Sequence, residues 1–256
     1  MNLTFSMGGS GLGQVLAVVS GKGGTGKTSL CAAIACALAQ EGQSVLLMDL
    51  DLGLRNLDLS LGLGEEPAIP FTAVMRGEYP LSRATAHPRF PGLSFLTAPV
   101  TEAPESVDTA QFAAFLQEAR AAFDFVLLDA PAGVGAGFRL AVQCADQALV
   151  VTGSDPASLR DGARTAELLE RLSQAAPRLV VNRIRRRFFR RTHATVDDIM
   201  DAVGLPLLGL VPEDETVPLA AAAGEPLLSY ASRGAALACR HIARRLLGIR
   251  QPFVRI

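Results

Sequence analysis

The sequence has few of the features that mark secreted, membrane-spanning or metal-cluster proteins. Its four cysteines, Cys31, Cys36, Cys144 and Cys239, are scattered and form no CxxC pair. This spacing favours reduced core thiols in a cytosolic protein over a metal or iron–sulfur site. The first residues contain no basic stretch followed by an apolar run, so we expect no signal peptide. The longest apolar helical run, residues 30–39, is too short to span a bilayer.

Net charge and lysine are also scarce. The chain has 24 basic and 25 acidic residues. This balance argues against a protein that coats nucleic acid without specificity, but it is compatible with a local basic patch. All the basic residues are arginine except Lys22 and Lys27, which lie in one glycine-rich stretch. A length of 256 residues with 49% hydrophobic residues fits one large α/β domain or two small ones. The chain contains no internal repeat and no low-complexity linker. We therefore predict a single domain over residues 1–256, with a flexible lead at 1–13 and a short tail at 251–256.

Short apolar runs alternate with helical patterns along the chain. The apolar runs predict strands at residues 15–20, 44–49, 93–97, 124–129, 147–152, 178–182 and 207–211. The helical spacing predicts helices over residues 27–41, 108–122, 156–174, 195–203, 217–223 and 233–247. Repeated β–α alternation predicts an α/β fold with a doubly wound, mainly parallel sheet and helices on both faces. Ligands of such a fold bind at the carboxyl ends of the strands.

A phosphate-binding loop is predicted between the first strand and the first helix. Residues 21–28 read GKGGTGKT and match the pattern GxxxxGK[ST]. The glycines let backbone N–H groups wrap a phosphate chain, Lys27 reaches the β- and γ-phosphates, and the Thr28 hydroxyl ligates Mg²⁺. The predicted nucleotide-binding residues here are Gly21, Lys22, Gly23, Gly24, Thr25, Gly26, Lys27, Thr28 and Ser29.

Carboxylates are predicted to lie beside this loop. One predicted strand ends in Asp49, and alternation along an extended segment places Asp49 and Asp51 on the same side. One of them can bind Mg²⁺-linked water while the other orients the attacking water; capping of the following turn is an alternative for Asp51. The apolar run at 125–129 ends in Asp129, a pattern typical of the Walker B carboxylate near Mg²⁺.

The second residue of the loop, Lys22, resembles the signature lysine of the ParA/MinD family of deviant Walker A ATPases. In that family this lysine contacts the phosphates of the nucleotide held by the partner subunit. The resemblance therefore implies an ATP- and Mg²⁺-dependent homodimer of P-loop NTPase fold. It assigns Asp49 to the metal with Thr28 and Asp129, and it makes Lys22, Lys27 and Asp51 the catalytic residues. A solvated loop lysine is the alternative for Lys22.

Within the family, the chain is most similar to the MinD branch. Residues 49–59 read DLDLGLRNLDL, which resembles the GLRNLD segment that follows the catalytic aspartate in that branch. The resemblance covers about residues 15–250. It places switch, dimer or partner contacts at Arg55, Asn56, Pro131, Gly133 and Asp161. It places the adenine pocket at Asn182, Arg183, Pro212, Glu213 and Asp214.

The resemblance implies an ATP-hydrolysing switch that places the cell-division site. Such a switch recruits a MinC-like division inhibitor and a MinE-like or other topological factor. A ParA-like ATPase that partitions DNA or cargo, and a flagellar-number regulator, are alternatives within the family. A nucleotide-dependent scaffold that does not hydrolyse ATP is an alternative of a different class.

Membrane attachment is the point at which the sequence departs from the branch. Residues 251–256 stand about where its amphipathic membrane helix would begin, and they do not show that pattern. Residues 183–191 read RIRRRFFRR, with six arginines and two phenylalanines. A solvated loop is the favoured interpretation of this segment. Peripheral contact with the inner face of the cell membrane by an otherwise cytoplasmic protein is the next alternative, and contact with the DNA backbone is the least favoured.

Overall fold

The structure is a computed structural model that describes residues 11–52, 56–64, 67–99, 102–185, 187, 191 and 195–254. Its centre is an eight-stranded sheet with the strand order β3-β4-β2-β5-β1-β6-β7-β8. The strands are β1 (Gln14–Val19), β2 (Val45–Asp49), β3 (Thr85–Ala86), β4 (Leu93–Leu96), β5 (Phe125–Asp129), β6 (Gln147–Thr152), β7 (Ala176–Ile184) and β8 (Leu207–Pro212). All neighbouring strands are parallel except the antiparallel pair β3 and β4, which confirms the predicted mainly parallel sheet.

Helices cover both faces of this sheet. They are α1 (Lys27–Gln40), α2 (Leu57–Leu61), α3 (Phe71–Met75), α4 (Thr109–Ala122), α5 (Ala136–Gln143), α6 (Pro156–Leu172), α7 (Val196–Val203), α8 (Thr216–Ala222), α9 (Leu227–Tyr230) and α10 (Gly234–Leu246). Short 3₁₀ turns lie at Leu81–Arg83 and Pro104–Ser106. None of the helices in the described ranges is long and apolar enough to cross a membrane.

The predicted elements are confirmed with small shifts at their ends. Helices α2, α3, α5 and α9 and strand β3 were not predicted. Their few residues give a weak periodic signal, although α7 and α8, which are of similar length to α5, were predicted. Helix α6 ends two residues before the predicted 174. Strand β7 begins two residues earlier than predicted and continues through Arg183 to Ile184, two residues beyond the predicted end at 182.

The sheet separates two apolar cores. Leu16 and Val18 of β1 belong to the core under α1 and α10, while Ala17 and Val19 belong to the core under α4 and α5. Because side chains alternate along a strand, a strand that is apolar throughout is buried on both faces. This arrangement fixes the carboxyl ends of β1, β2 and β5 at one edge of a rigid sheet.

Strand β8 and helix α10 approach each other closely at Gly209. A Cβ atom added there would lie 2.4 Å from Cγ1 and 2.5 Å from Cδ1 of Ile242, which is fully buried. The chain therefore needs a residue without a side chain at this position. The contact matters for the site because β8 and α10 both contribute to the cavity described below.

We expect Gly209→Ala to destabilise the protein by about 1–3 kcal/mol, because the added methyl group overpacks this contact. Urea unfolding followed by circular dichroism measures the effect, and Gly11→Ala is the control because an added Cβ meets nothing within 4 Å there. Combining Gly209→Ala with Ile242→Ala should cost less than the sum of the two single changes. Equal stability of Gly209→Ala and Gly11→Ala would contradict the packing argument.

Candidate nucleotide-binding site

The glycine-rich segment between β1 and α1 forms a loop of unusual backbone shape. Gly24 and Gly26 have φ angles of 77° and 80°, in the left-handed region where residues with a Cβ are strained. A Cβ on Gly26 would also lie 2.6 Å from Nδ2 of Asn182. Asn182 Nδ2 donates to the Thr25 carbonyl at 2.8 Å, so this side-chain amide connects β7 to the loop.

Helix α1 begins directly after this loop with its first amides available. Its N-cap residue, Gly26, makes no side-chain capping hydrogen bond. The first N–H groups of a helix lack partners within the helix and carry its positive dipole end, so they favour an anion. The loop and the start of α1 together therefore form the phosphate cradle that the sequence predicted.

A buried ion pair lies beneath the cradle. Lys27 Nζ is 2.7 Å from Asp129 Oδ1, and the two side chains are 6% and 1% exposed. Burial raises the pKa of the Asp129 carboxyl, although the charge of Lys27 and the hydrogen-bonding groups of Lys27 and Thr28 act against it. The structure thus brings together the loop lysine, the loop threonine and the carboxylate at the end of β5.

The carboxylates after β2 lie beside this pair, as predicted. Asp49 pairs with Asp129 in the register of β2 and β5. Its Oδ1 accepts from the Asp51 amide at 2.9 Å, and its Oδ2 accepts from the Leu57 amide at 3.4 Å. Burial, and then the charge of Asp129, raise the pKa of Asp49 to about 7. Burial raises the pKa of Asp51 as well, and the nearby charge of Lys27 opposes that effect.

These residues fit a magnesium ion. Asp129 Oδ2 is buried and has no hydrogen-bond partner among the described residues, so it has an oxygen to offer. No group of three His, Cys, Asp or Glu side chains that could hold a metal exists within the described ranges. A cation here would thus share a threonine hydroxyl and two carboxylates with the phosphates and water. Mg²⁺ favours this combination, because it usually binds one or two carboxylates plus substrate phosphates.

Helix α6 borders the loop on the side of Lys22. Lys22 Nζ lies 3.7 Å from Asp155 Oδ1, with the two side chains 39% and 53% exposed. Asp155 also caps α6. A Cβ on Gly21 would lie 2.7 Å from the carbonyl oxygen of Asp161 in the same helix. Asp161, predicted as a switch, dimer or partner contact, therefore lies beside the loop. Asp155 was not predicted, because a sequence pattern can indicate a helix cap but not its distant partner.

The predicted switch residues flank the site on its other sides. Asn56 is exposed directly before α2, and Arg55 lies outside the described residues. Gly133 has a φ of 85°, and its amide donates to the Ser20 carbonyl at 3.0 Å, which ties this segment to the end of β1. Pro131 follows β5 and packs against Gly137, where a Cβ would lie 2.4 Å from the proline ring.

A cavity of about 960 Å³ opens next to the cradle and contains the predicted adenine pocket. Its lining includes Ser29 and all five predicted pocket residues, Asn182, Arg183, Pro212, Glu213 and Asp214. Its inner wall was not predicted and is apolar: Leu30, Val211, Val217, Ala221, Leu227, Ala235 and Cys239. These residues come from α1, β8 and the last three helices, and nothing in their local sequence patterns distinguishes them from other apolar residues of those elements.

Both carboxylates of the predicted adenine pocket are hydrogen-bonded within the protein. Glu213 receives hydrogen bonds from Arg183 and Arg185, which hold its pKa below the usual range. Asp214 accepts from the amides of Thr216 and Ala235, both at 2.9 Å. Asp214 therefore holds the starts of α8 and α10, and the two acids shape the pocket wall more than they offer free oxygens to a base.

The arginine-rich segment begins at the mouth of this cavity. Arg185, Arg187 and Arg191 are exposed, and Arg187 contributes to the cavity lining. Residues 186 and 188–190, which include both phenylalanines, lie outside the described ranges. Arg185 is paired with Glu213, while Arg187 brings positive charge to the lining of the cavity.

Comparisons with known proteins agree with this geometry. Residues 16–227 match the CobQ/CobB/MinD/ParA nucleotide binding domain. The chain is 37% identical to the septum site-determining protein MinD of Synechocystis sp. over 95% of this chain and 92% of that protein.

Solved structures show the same relationship. The fold matches MinD in the MinC:MinD cell division protein complex of Aquifex aeolicus with a TM-score of 0.87 and 34% identity, over 94% of this chain and 98% of that one. It matches the septum site-determining protein MinD complexed with Mg-ADP from Pyrococcus horikoshii with a TM-score of 0.79 and 27% identity, over 92% and 96% of the two chains. The chain therefore belongs to the MinD family of septum site-determining proteins, within the CobQ/CobB/MinD/ParA nucleotide-binding domains.

Proposed function

We propose that this protein is a MinD-type ATPase that places the cell-division site by cycling between a free subunit and an ATP-bound homodimer. The observation that carries the proposal is the buried Lys27–Asp129 pair beneath an uncapped phosphate loop, with Asp49 and Asp51 beside it. This arrangement suits binding and hydrolysis of a nucleoside triphosphate. The Mg-ADP in the related Pyrococcus protein supports the choice of nucleotide and metal.

Each residue of the site has a separate task in this proposal. The loop amides and Lys27 hold the β- and γ-phosphates, and Thr28, Asp49 and Asp129 hold Mg²⁺. The metal supplies charge neutralisation on the phosphate oxygens. Asp51 is only partly buried and orients the attacking water toward the γ-phosphate. The walls of the adjoining cavity hold the base.

Dimerisation depends on Lys22. Its ammonium is partly exposed and bound loosely to Asp155 at 3.7 Å in the single subunit, so little holds it back from a partner's phosphates. A cation supplied by a second subunit can raise the rate of phosphoryl transfer by ~10³–10⁵. ATP binding and pairing of two subunits are thereby linked.

The assembled dimer would then recruit partners. The related Aquifex structure is a complex of MinC with MinD, and we extend that pairing to a MinC-like inhibitor of division here. A MinE-like or other topological factor would stimulate hydrolysis and return the subunits to the free state. The predicted residues Asn56, Pro131, Gly133 and Asp161 surround the loop, where such partners could sense the bound nucleotide.

Peripheral membrane contact completes the proposal. Arg187, which lines the cavity, and Arg191, four residues further along the chain, are both exposed, and basic residues near an anionic bilayer each contribute about 1 kcal/mol. Two subunits present twice as many arginines as one, so pairing with ATP strengthens attachment. The protein would thus move between the cytoplasm and the inner face of the membrane as it binds and hydrolyses ATP.

We expect Asp51→Ala to lower the ATPase rate by about 100-fold or more, since the attacking water loses its orienting group. Binding of MgATP, measured by calorimetry, should change little because Asp51 does not hold the phosphates. Asp201→Ala, a change at an exposed acid on α7, is the control. Hydrolysis at the original rate by Asp51→Ala would contradict the assignment of this residue.

We expect Lys22→Gln to abolish the ATP-dependent dimer in analytical ultracentrifugation while MgADP binding to the single subunit persists. The reason is that the ammonium acts on the partner's nucleotide. Asp155→Asn keeps a good helix cap but removes the charge that pairs with Lys22. It should dimerise at least as readily as the natural protein, and a dimer of Lys22→Gln with ATP would contradict the role of this lysine.

We expect the protein to sediment with anionic liposomes in the presence of ATP and less with ADP. Replacing Arg187 and Arg191 by Glu should reduce this sedimentation strongly, because attraction to the lipid headgroups becomes repulsion. An equal change of charge at the exposed Arg83 and Arg171 is the control. Sedimentation that does not depend on ATP, or that survives the Arg187/Arg191 change, would contradict attachment through this segment.

A further inference from the structure

Arg183 has a backbone conformation that arginine seldom adopts. It is the one residue other than glycine in the described part of the chain that has a positive φ, at 55°. A side chain in the left-handed region crowds its own backbone, so the surrounding structure must hold it there. Such strain often accompanies a functional constraint.

The strained residue lies at an irregularity between two strands. The register of β7 and β8 shifts between Val181 and Ile184. Consecutive side chains of a regular strand point to opposite faces, but a bulge can redirect one of them. As a result, Asn182 and Arg183 both reach the phosphate loop: Asn182 Nδ2 donates to the Thr25 carbonyl at 2.8 Å, and Arg183 Nη1 donates to the Gly24 carbonyl at 3.0 Å.

The other end of the guanidinium is held by a carboxylate. Arg183 Nη2 donates to Glu213 Oε1 at 3.1 Å, and the Glu213 amide donates to the Ile184 carbonyl at 3.0 Å. The planar guanidinium therefore forms a brace between the end of β8 and the loop. Gly24 itself has a left-handed backbone, and a carbonyl drawn outward leaves neighbouring amides free to face a phosphate.

We infer that Arg183 is a positioning residue for the phosphate loop, which it holds in its binding shape through the Gly24 carbonyl. The resemblance to relatives implies only an adenine-pocket residue at this position, whereas the contacts direct its action to the phosphate end of the nucleotide. This inference rests on the proposed nucleotide-binding function. A residue that acts through the loop affects every nucleotide alike, while a residue that contacts the base changes the preference among bases.

Calorimetric titration of Arg183→Gln, Arg183→Lys and Arg183→Gly with MgATP, MgADP and MgGTP tests the inference. Removal of a charge-assisted hydrogen bond should weaken ATP and ADP binding by about fivefold to tenfold in the Gln and Gly variants. The ratio of ATP to GTP affinity should stay unchanged. Arg183→Lys should recover part of the affinity, since an ammonium can still reach the carbonyl.

Two further measurements separate positioning from a loss of folding. Arg183→Gly relieves the backbone strain while it removes the brace, so its Tm should be no lower than that of Arg183→Gln although its nucleotide affinity falls. Arg120→Gln is the matched control: Arg120 donates to the Gly13 carbonyl at 3.0 Å and to Asp146 at 3.0 Å, far from the loop. It should bind nucleotide as the natural protein does.

Three outcomes would overturn the inference while the proposed function stands. These are unchanged affinity in Arg183→Gly, an altered ratio of ATP to GTP affinity, and equal losses in Arg120→Gln and Arg183→Gln. Failure of the natural protein to bind any of the three nucleotides would instead overturn the proposed function, and the inference with it.

Discussion

The site depends on the buried ion pair between Lys27 and Asp129. Two charges with almost no exposure are tolerated only because they neutralise each other at 2.7 Å. Breaking such a pair by removing one partner typically costs about 3–5 kcal/mol, since it leaves an uncompensated charge in the interior. The pair therefore connects the start of α1 to the end of β5, and it fixes the position of the loop between β1 and α1 relative to the sheet.

The parallel sheet then determines which groups can join this pair. Asp49 and Asp129 stand side by side in the register of β2 and β5, at the edge where all the parallel strands end. Burial raises the pKa of both carboxyls, and the like charge of Asp129 raises the pKa of Asp49 further, while the like charge of Asp51 acts in the same direction on Asp129. Carboxylates that lie this close together are stabilised by nearby cations, and Lys27 is one such cation. The remaining negative charge favours a further cation at this site, which is the physical basis for proposing Mg²⁺ there.

Local chemistry with a strong signature could be predicted from the sequence. The phosphate loop, the carboxylates at the strand ends and the long helices each follow from a short run of residues, and the structure places them as expected. Features that depend on distant contacts could not be predicted. The partner of Lys22, the bulge at Arg183 and the use of Asp214 to hold two helix starts all join residues that are far apart in the chain.

The same distinction explains the short elements. Helix α2 has five residues, and its end is held by His87, whose Nε2 lies 2.9 Å from the Leu61 carbonyl in a buried contact. That bond comes from the segment between β3 and β4, so the local sequence of α2 contains no sign of it. Short helices of this kind depend on tertiary contacts, because an isolated helix of one or two turns is unstable in water.

Arginine and lysine occupy different positions in this site because their cations differ in geometry. An arginine reaches outward and satisfies several acceptors in one plane, as Arg183 does with Gly24 and Glu213. The space beneath the loop admits a compact ammonium on a flexible stem, and Lys27 fills it almost without exposure. A planar guanidinium there would crowd the glycine backbone that must fold around the phosphates. This geometry accounts for a lysine at position 27, in a chain that uses arginine for every basic position other than 22 and 27.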